Sequence, residues 1–271
     1  MPLRASAAEL SCRERKILNS ILLEVAECSP EPGLAAWNWE LPIEDRRARH
    51  MLHVLKLPMG REFHMGLIDH SIGTGRWISH ESDVIRGIYN PSQIANEIPL
   101  AQRSLILGLP RPKSLRRILR MIGNLGIQEV HLINTARVDK SYWSSPWLEE
   151  HAQRAALLEG LEIACRGGAT LPRLPRIQQH RLFRPFAEDH LPRLVSGYQG
   201  LVLHPGVRPS EEERATRRDQ PLMFAIGPEG GFVDFELELF QRAGFQKWSF
   251  GERCWSVEVA VPFSMAYFSP A

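Results

Sequence analysis

The stretch Ile226-Gly227-Pro228-Glu229-Gly230-Gly231-Phe232 decides the fold of the C-terminal part of this chain. The apolar run Leu222-Met223-Phe224-Ala225 precedes it and an acidic amphipathic segment follows, which predicts a strand, a tight glycine loop and a helix. The glycines allow positive φ or the close approach of a ligand, and Pro228 stiffens the turn. On spacing alone an ordinary strand-to-helix turn is slightly favoured, because the run matches no established phosphate-binding glycine motif.

Two further loops have the same setting. Phe250-Gly251-Glu252-Arg253-Cys254-Trp255 also lies between a predicted strand and a predicted helix, and Leu203-His204-Pro205-Gly206 follows another apolar run. Loops at the carboxyl edge of a parallel sheet converge on one crevice. The three loops together therefore raise the odds of a ligand site, although for His204 a structural, hydrogen-bonded role is favoured over that of a ligand or base.

From about residue 100 onwards, short apolar runs alternate with amphipathic segments, which predicts an α/β domain with a parallel sheet. The predicted strands are 104–109, 129–134, 201–204, 222–226 and 248–250, and the predicted helices are 114–125, 147–166, 234–243 and 257–267.

The residues before about position 100 have a different pattern of apolar and polar side chains. Residues 1–16 are interpreted as an extension with little pattern, and 17–98 as a small β-barrel-type domain, which leaves 99–271 for the α/β domain. The predicted strands are 17–25, 62–68, 76–79 and 83–89, with a turn at Gly73-Thr74-Gly75 and a helix that carries Ala48, Met51, Leu52 and Leu55.

Composition excludes several classes of protein. Of 271 residues, 44% are hydrophobic and 24% charged, which argues against disorder, and the apolar runs are far too short to span a membrane. The four cysteines have no metal-ligand spacing, and no histidine cluster offers a third ligand, so we predict reduced thiols, no metal site and a cytoplasmic location. Only five of the 33 basic residues are lysines. Phosphate recognition and a GC-rich genome explain this arginine excess equally well.

Two basic patches are candidates for binding a polyanion. Lys113, Arg116, Arg117 and Arg120 fall on one face of the predicted helix 114–125. A solvated face and a nucleic-acid partner are about equally good interpretations of this face. Arg46, Arg47, Arg49 and His50 form the second patch, part of which can pair with Glu44 and Asp45.

The motif GPEGGF, followed by FGERCWSVEVAV at 250–261, resembles the SPOUT methyltransferases, and more narrowly the RsmE-type ribosomal RNA (uridine-N3) methyltransferases. RRARHMLHVLKLPMG (46–60), RPKSLRRIL (111–119), LGIQEVHLIN (125–134) and LEGLEIACR (158–166) support the resemblance, which covers about residues 17–268.

The resemblance implies a PUA-like N-terminal domain and a SPOUT domain with a C-terminal trefoil knot that forms a homodimer. It also implies S-adenosylmethionine as cofactor, rRNA or the small ribosomal subunit as partner, and no metal. The implied cofactor-binding residues are Leu203, His204, Gly227, Pro228, Glu229, Gly230, Gly231, Phe250, Gly251, Cys254 and Trp255. The implied RNA-binding residues are Arg46, Arg47, Arg49, His50, Lys113, Arg116, Arg117, Arg120 and Arg166.

Methyl transfer to uridine N3 needs in-line positioning and removal of the N3 proton, or stabilisation of the uridine anion. Glu229, Glu258 and Arg253 are the candidates, with no choice among them. Several positions depart from the family pattern, among them Cys254, Trp255 and Ile163. The two that bear on activity are Ser256, where the family has an arginine, and Val259, where it has a threonine. The chain is therefore interpreted as a divergent member or paralogue. It is either an active methyltransferase or a catalytically weakened protein of the same fold that binds RNA, and perhaps the cofactor, without methyl transfer.

Overall fold

The computed structural model describes residues 20–33, 35–81, 83–94, 102–168, 170–206, 210, 217 and 220–268. The predicted extension 1–16, the first residues of the predicted strand 17–25 and the predicted boundary at 98/99 lie outside these ranges. The chain divides into two compact units, Met1–Ile98 with Leu161–Arg173, and Pro99–Gly160 with Leu174–Ala271. The segment Leu161–Arg173, which the sequence assigns to the second domain, thus clusters with the first unit.

The first unit contains a six-stranded sheet in the order β1-β4-β5-β6-β3-β2. Among the described strands of this sheet, β1 and β4 pair in parallel and the other neighbours pair antiparallel. The edge strands β1 and β2 are separated in sequence only by Glu24–Glu27, so the sheet curls into a half-barrel. The strands are β1 (Ile21–Leu23), β2 (Cys28–Pro30), β3 (Trp37–Pro42), β4 (Phe63–Leu67), β5 (Ser71–Glu81) and β6 (Val84–Ile94).

Inside the half-barrel lies an apolar core built around Trp39, Met65 and Tyr89. The helix predicted beside it is α1 (Arg46–Arg49), which continues as a π turn, His50–Val54. The predicted turn at 73–75 is wrong, because these residues lie within β5. Gly73 is needed for close strand approach instead, since a Cβ there would stand 2.0 Å from the carbonyl oxygen of Asn90.

The second unit contains six strands that are all parallel, in the order β12-β10-β11-β7-β8-β9, which confirms the predicted parallel sheet. The strands are β7 (Arg103–Gly108), β8 (Glu129–Ile133), β9 (Arg176–His180), β10 (Gln199–Leu203), β11 (Leu222–Ile226) and β12 (Gln246–Trp248). The prediction missed β9, and β12 lies two residues before its predicted start.

Helices cover both faces of this sheet. Successive residues of β7 point to opposite faces, so that Leu105 and Leu107 join one core and Ile106 the other. This explains why the inner strands β7, β8, β10 and β11 are mostly apolar. The helices are α2 (Pro112–Leu125), α3 (Glu150–Ala164), α4 (Phe183–Pro185), α5 (Leu191–Leu194), α6 (Asp234–Arg242) and α7 (Val257–Tyr267). Short turns of 3-10 helix (Lys140–Ser144, Pro146–Leu148) precede α3, and a π turn (Phe186–His190) joins α4 to α5.

Candidate functional site

Three neighbouring strands, β12, β10 and β11, end at one edge of the parallel sheet, and the loops that follow them enclose a cavity of roughly 300 Å³. All eleven residues predicted to bind the cofactor line it: Leu203, His204, Gly227, Pro228, Glu229, Gly230, Gly231, Phe250, Gly251, Cys254 and Trp255. The sequence separates these three loops widely, and only the strand order brings them together.

The glycine loop after β11 has a fixed, tight geometry. Gly231 adopts φ +72°, and its N–H donates to the carbonyl oxygen of Pro228 at 2.8 Å. A Cβ on Gly227 would stand 2.9 Å from the backbone of Gly231, closer than real Cβ contacts. At the end of β7, a Cβ on Gly108 would approach Pro228 to 2.4 Å. The glycines are thus required by the fold of the loop itself, which leaves its backbone exposed to the cavity.

The other two loops are joined to each other. The buried Ser249 hydroxyl donates to the carbonyl oxygen of Gly206 at 2.7 Å, and the Gly206 N–H donates to the carbonyl oxygen of Gly251 at 3.3 Å. His204 extends the strand pairing, with its N–H donating to Trp248 O at 3.0 Å. These bonds fix the two loops as one wall of the cavity.

An aromatic stack lies in that wall. The rings of Phe250 and Trp255 are stacked with centroids 5.2 Å apart and an interplanar angle of 12°. Phe263 of α7 meets the Trp255 ring edge-on at 4.3 Å. Trp255 therefore fills its place by packing against aromatic neighbours, and the cavity gains a flat apolar surface.

Arg137 lines the cavity and was missed by sequence reasoning. It lies on the loop after β8, and its Nη1 donates to the carbonyl oxygen of Gly230. A Cβ added to Gly230 would stand 3.0–3.5 Å from the side-chain carbons of Arg137. Next to it, the Ala136 N–H donates to the buried Glu236 carboxylate at 2.7 Å, which also accepts from Val233 N at the start of α6. No local motif signals this role, because it depends on β8 and β11 ending on the same side.

The three catalytic candidates have different surroundings. Glu229 lines the cavity, but its Oε1 accepts from the Arg111 N–H at the start of α2, at 3.0 Å. Glu258 does not line the cavity and pairs with Arg117 at 3.3 Å. Arg253 is exposed, lines the cavity and has no ion-pair partner among the described residues. Ser256 is the exposed N-cap residue of α7 and Val259 is half exposed, so neither position holds a cation at the cavity.

The basic face of α2 is exposed as predicted, but most of its charges have partners. Arg116 stacks on Trp147 at 4.9 Å, Arg117 pairs with Glu258, and Arg120 lies 3.9 Å from Glu159. Lys113 is exposed, with no ion pair in the described part of the chain. Arg166 is exposed in the 3-10 turn Cys165–Gly167, in the segment that clusters with the first unit.

The arginines of α1 are engaged within the first unit. Arg46 pairs with Glu162 and Arg49 with Glu44. All five N–H groups of Arg47 donate internally, since Nε and Nη2 bond Asp45, Nη1 and Nη2 bond Glu27, and Nη1 also bonds the carbonyl oxygen of Leu22. His50 follows them as the first residue of the π turn.

These bonds shift the titration of Asp45. Burial disfavours its charged form, but the hydrogen bonds from Arg47 outweigh burial and hold the pKa of Asp45 below its usual value. Arg47 is therefore a structural residue that joins β1, the turn after it and α1.

The described residues contain neither a membrane-spanning helix nor a metal-binding cluster. No helix there is long and apolar enough to cross the membrane, and no group of three or more histidine, cysteine or acidic side chains is placed to hold a metal ion.

Comparisons with known proteins show which sequences and structures the chain is similar to. The sequence profile of the RNA methyltransferase domain matches residues 96–269. The chain is 32% identical to ribosomal RNA small subunit methyltransferase E of Treponema pallidum over 221 residues, covering 81% of each chain. It is 21% identical over 231 residues to ribosomal RNA small subunit methyltransferase E 1 of Borreliella burgdorferi, covering 81% of this chain and 88% of the relative.

A solved structure supports the fold. The ribosomal RNA small subunit methyltransferase E of Neisseria gonorrhoeae, bound to S-adenosyl methionine, superimposes with a TM-score of 0.68 at 18% identity, covering 92% of this chain and 95% of the other. From the profile match and the Treponema relative, we conclude that the chain belongs to the ribosomal RNA small subunit methyltransferase E family of RNA methyltransferases.

Proposed function

We propose that this protein methylates N3 of a uridine in small-subunit ribosomal RNA, with S-adenosylmethionine as the methyl donor. The observation that carries the proposal is the cavity formed by the three loops after β10, β11 and β12, which brings all eleven predicted cofactor residues together. Family membership and the names of the relatives support the reaction class and the substrate.

The cavity fits such a cofactor. Its volume of roughly 300 Å³ lies at the lower end of the range for small-molecule sites, about 300–1,000 Å³. Bare glycine backbone on one side can bond polar groups, and the Phe250–Trp255 stack on the other can contact a purine ring. When bound, S-adenosylmethionine supplies a methyl group on a positively charged sulfur.

The reaction forms a bond between N3 and the methyl carbon, breaks the bond between that carbon and sulfur, and releases the N3 proton. We assign Arg253 to stabilise the uridine anion, because it is the cavity-lining candidate without a carboxylate partner among the described residues. Glu229 is assigned to hold the glycine loop against the start of α2, since its carboxylate already accepts from Arg111 N. The proton leaves to solvent or to a group on the RNA.

The remaining parts of the family architecture are proposed with it. A trefoil knot is supported by the strand order. Although β12 follows β11 in the chain, it pairs with β10 and not with β11. A PUA-like domain is supported by the curled sheet of the first unit.

We assign Lys113 and Arg116, on the exposed face of α2, to contact RNA phosphates. Arg116 also packs on Trp147. A homodimer is supported by exposed apolar side chains on α7.

Cofactor binding is tested with a matched pair of glycines. Gly231 and Gly126 have nearly the same φ, +72° and +73°, and a Cβ on either meets no close neighbour. Alanine at either position should cost about 1–2 kcal/mol of backbone strain. Only Gly231→Ala adds a methyl group to the cavity wall, so it should weaken S-adenosylmethionine binding at least tenfold in calorimetric titration, while Gly126→Ala leaves it unchanged. Equal affinities in both variants would argue against this site.

The reaction is tested with small-subunit rRNA from a strain that lacks this gene. Mass spectrometry of the digested rRNA should show loss of N3-methyluridine, and the purified protein should restore it. Cofactor binding without any methyl transfer to this rRNA would instead support the weakened, RNA-binding alternative that Ser256 and Val259 suggest.

A further inference from the structure

The segment His53–Arg61, which we call the 53–61 loop, projects cations and apolar side chains from the first unit. Val54 is 67% exposed and Met59 is 62% exposed, although both are large and apolar. His53, Lys56 and Arg61 are exposed as well. An exposed mixture of apolar and cationic groups in a short segment is characteristic of an interaction surface.

The loop is held in a defined shape. Leu57 is only 4% exposed and packs in the core, and its carbonyl oxygen accepts from Trp77 Nε1 at 3.2 Å. The Gly60 N–H donates to the carbonyl oxygen of Trp77 at 2.9 Å. Lys56 and Gly60 adopt left-handed φ values of +49° and +78°, which turn the chain sharply. The projecting side chains are therefore presented by a backbone anchored to β5.

The charges of this loop are available to a partner. Among the described residues, neither Lys56 nor Arg61 takes part in an ion pair, and the adjacent Glu62 forms none with Arg61. The arginines of α1 differ, because Arg46, Arg47 and Arg49 each pair with a carboxylate.

We propose that the 53–61 loop, rather than the arginines of α1, is the RNA-contacting surface of the first unit; this rests on the proposed function. Lys56 and Arg61 bind phosphates, which releases counterions and makes binding dependent on salt. Val54 and Met59 contact the faces or edges of unpaired bases, which are the parts of RNA that accept apolar contacts. Arg46 and Arg47 instead hold the unit together, and Arg49 forms an exposed ion pair with Glu44.

The inference is tested on the full-length protein with small-subunit rRNA that is transcribed in vitro and labelled with fluorescein. The variant Lys56→Ala/Arg61→Ala should weaken binding in fluorescence anisotropy about tenfold at moderate salt. It should also reduce the slope of log K against log salt by about 1–2. The control Arg49→Ala/Arg86→Ala removes the same charge from exposed, ion-paired arginines of the same unit and should change the affinity less than about twofold.

A second variant tests the apolar part. Val54→Ser/Met59→Ser should weaken RNA binding several-fold without changing the salt slope, because no charge is removed. All variants should bind S-adenosylmethionine as the wild type does. If the control pair loses as much RNA affinity as the loop pair, or if the loop pair loses none, the inference is wrong. A wild-type protein that binds S-adenosylmethionine but shows no salt-dependent affinity for this rRNA also overturns it, while the proposed cofactor site stands.

Discussion

Arg137 connects the loop after β8 to the glycine loop by donating to the carbonyl oxygen of Gly230. We expect Arg137→Met to weaken S-adenosylmethionine binding roughly fivefold, because the loss of one solvent-exposed, charge-assisted hydrogen bond costs about 1 kcal/mol. The substitution retains most of the stem that covers Gly230, so the fold should be unaffected. Calorimetric titration measures the affinity, and thermal unfolding checks the fold.

Arg181 provides the control for this variant. It is also exposed and stacks on Trp143 at 5.3 Å, but it does not line the cavity. Arg181→Met should leave cofactor affinity at the wild-type value. If the two variants bind the cofactor equally well, Arg137 does not support the glycine loop.

At the scale of elements, β8 and β9 are joined by a pair of histidines as well as by their backbone. His131 on β8 is fully buried, and its Nδ1 lies 3.1 Å from Nε2 of His180 on β9. Phe186 and His190 contact the His180 ring, and Glu129 lies 3.7 Å from His131 Nε2, too far for a hydrogen bond. Burial, with a contribution from His190, lowers the pKa of His131 to about 4. Burial and the two other histidines lower the pKa of His180 to about 4.

These pKa values predict how stability depends on pH. An unfolded histidine takes up its proton near pH 6.5, whereas the folded pair does so only near pH 4, so the unfolded state binds more protons between these values. Stability should therefore be fully present above about pH 6.5 and fall as the pH drops towards 4, by roughly 3 kcal/mol for His131. Urea unfolding at pH 7 and pH 4.5 measures the loss.

Removing one histidine of the pair should flatten this profile. His131→Leu should be less stable than wild type at pH 7, because His180 loses its hydrogen-bond partner, yet lose less further stability on acidification. His151→Leu changes an exposed histidine beside Glu149 and should keep the wild-type profile. An unchanged acid loss in His131→Leu would show that another group causes it.

Whether the sequence predicted a strand depends on how many faces of that strand are buried. The strands β7, β8, β10 and β11 are covered on both sides, so their apolar runs were sufficient to predict them. The edge strand β9 (RIQQH) is largely polar, and β2 includes Pro30, which is tolerated because β2 is an edge strand. Such edge strands form because a neighbouring strand offers hydrogen bonds, and the local sequence does not signal this.

At the scale of the whole molecule, α7 has an apolar face that α2 does not cover. Val259 is 50% exposed and Phe263 is 37% exposed, and their spacing of four residues places them on one side of the helix. The opposite side of α7 contributes Val257 to the core and to the wall of the cavity. We expect a second copy to cover the exposed face, which would put the dimer interface next to the proposed cofactor site.

The wild type should therefore be a dimer and the variant Val259→Glu/Phe263→Glu a monomer, because two buried charges would oppose association. Analytical ultracentrifugation measures the mass. Val54→Glu/Met59→Glu introduces the same charges at exposed apolar positions of the first unit and should stay dimeric. A wild-type monomer, or a dimer that survives the α7 substitutions, would contradict this interface.

The sequence by itself determined the glycine loops, the parallel α/β pattern, the basic face of α2 and the family, because these depend on residues that lie close together in the chain. Only the tertiary structure decided which partner each charged side chain has and which of them line the cavity. Arg47 donates all its N–H groups inside the first unit, and Glu258 is paired with Arg117. Arg137 lines the cavity although it lies on the loop after β8. Distances between such groups follow from strand order and packing, which connect residues far apart in sequence and leave no local pattern.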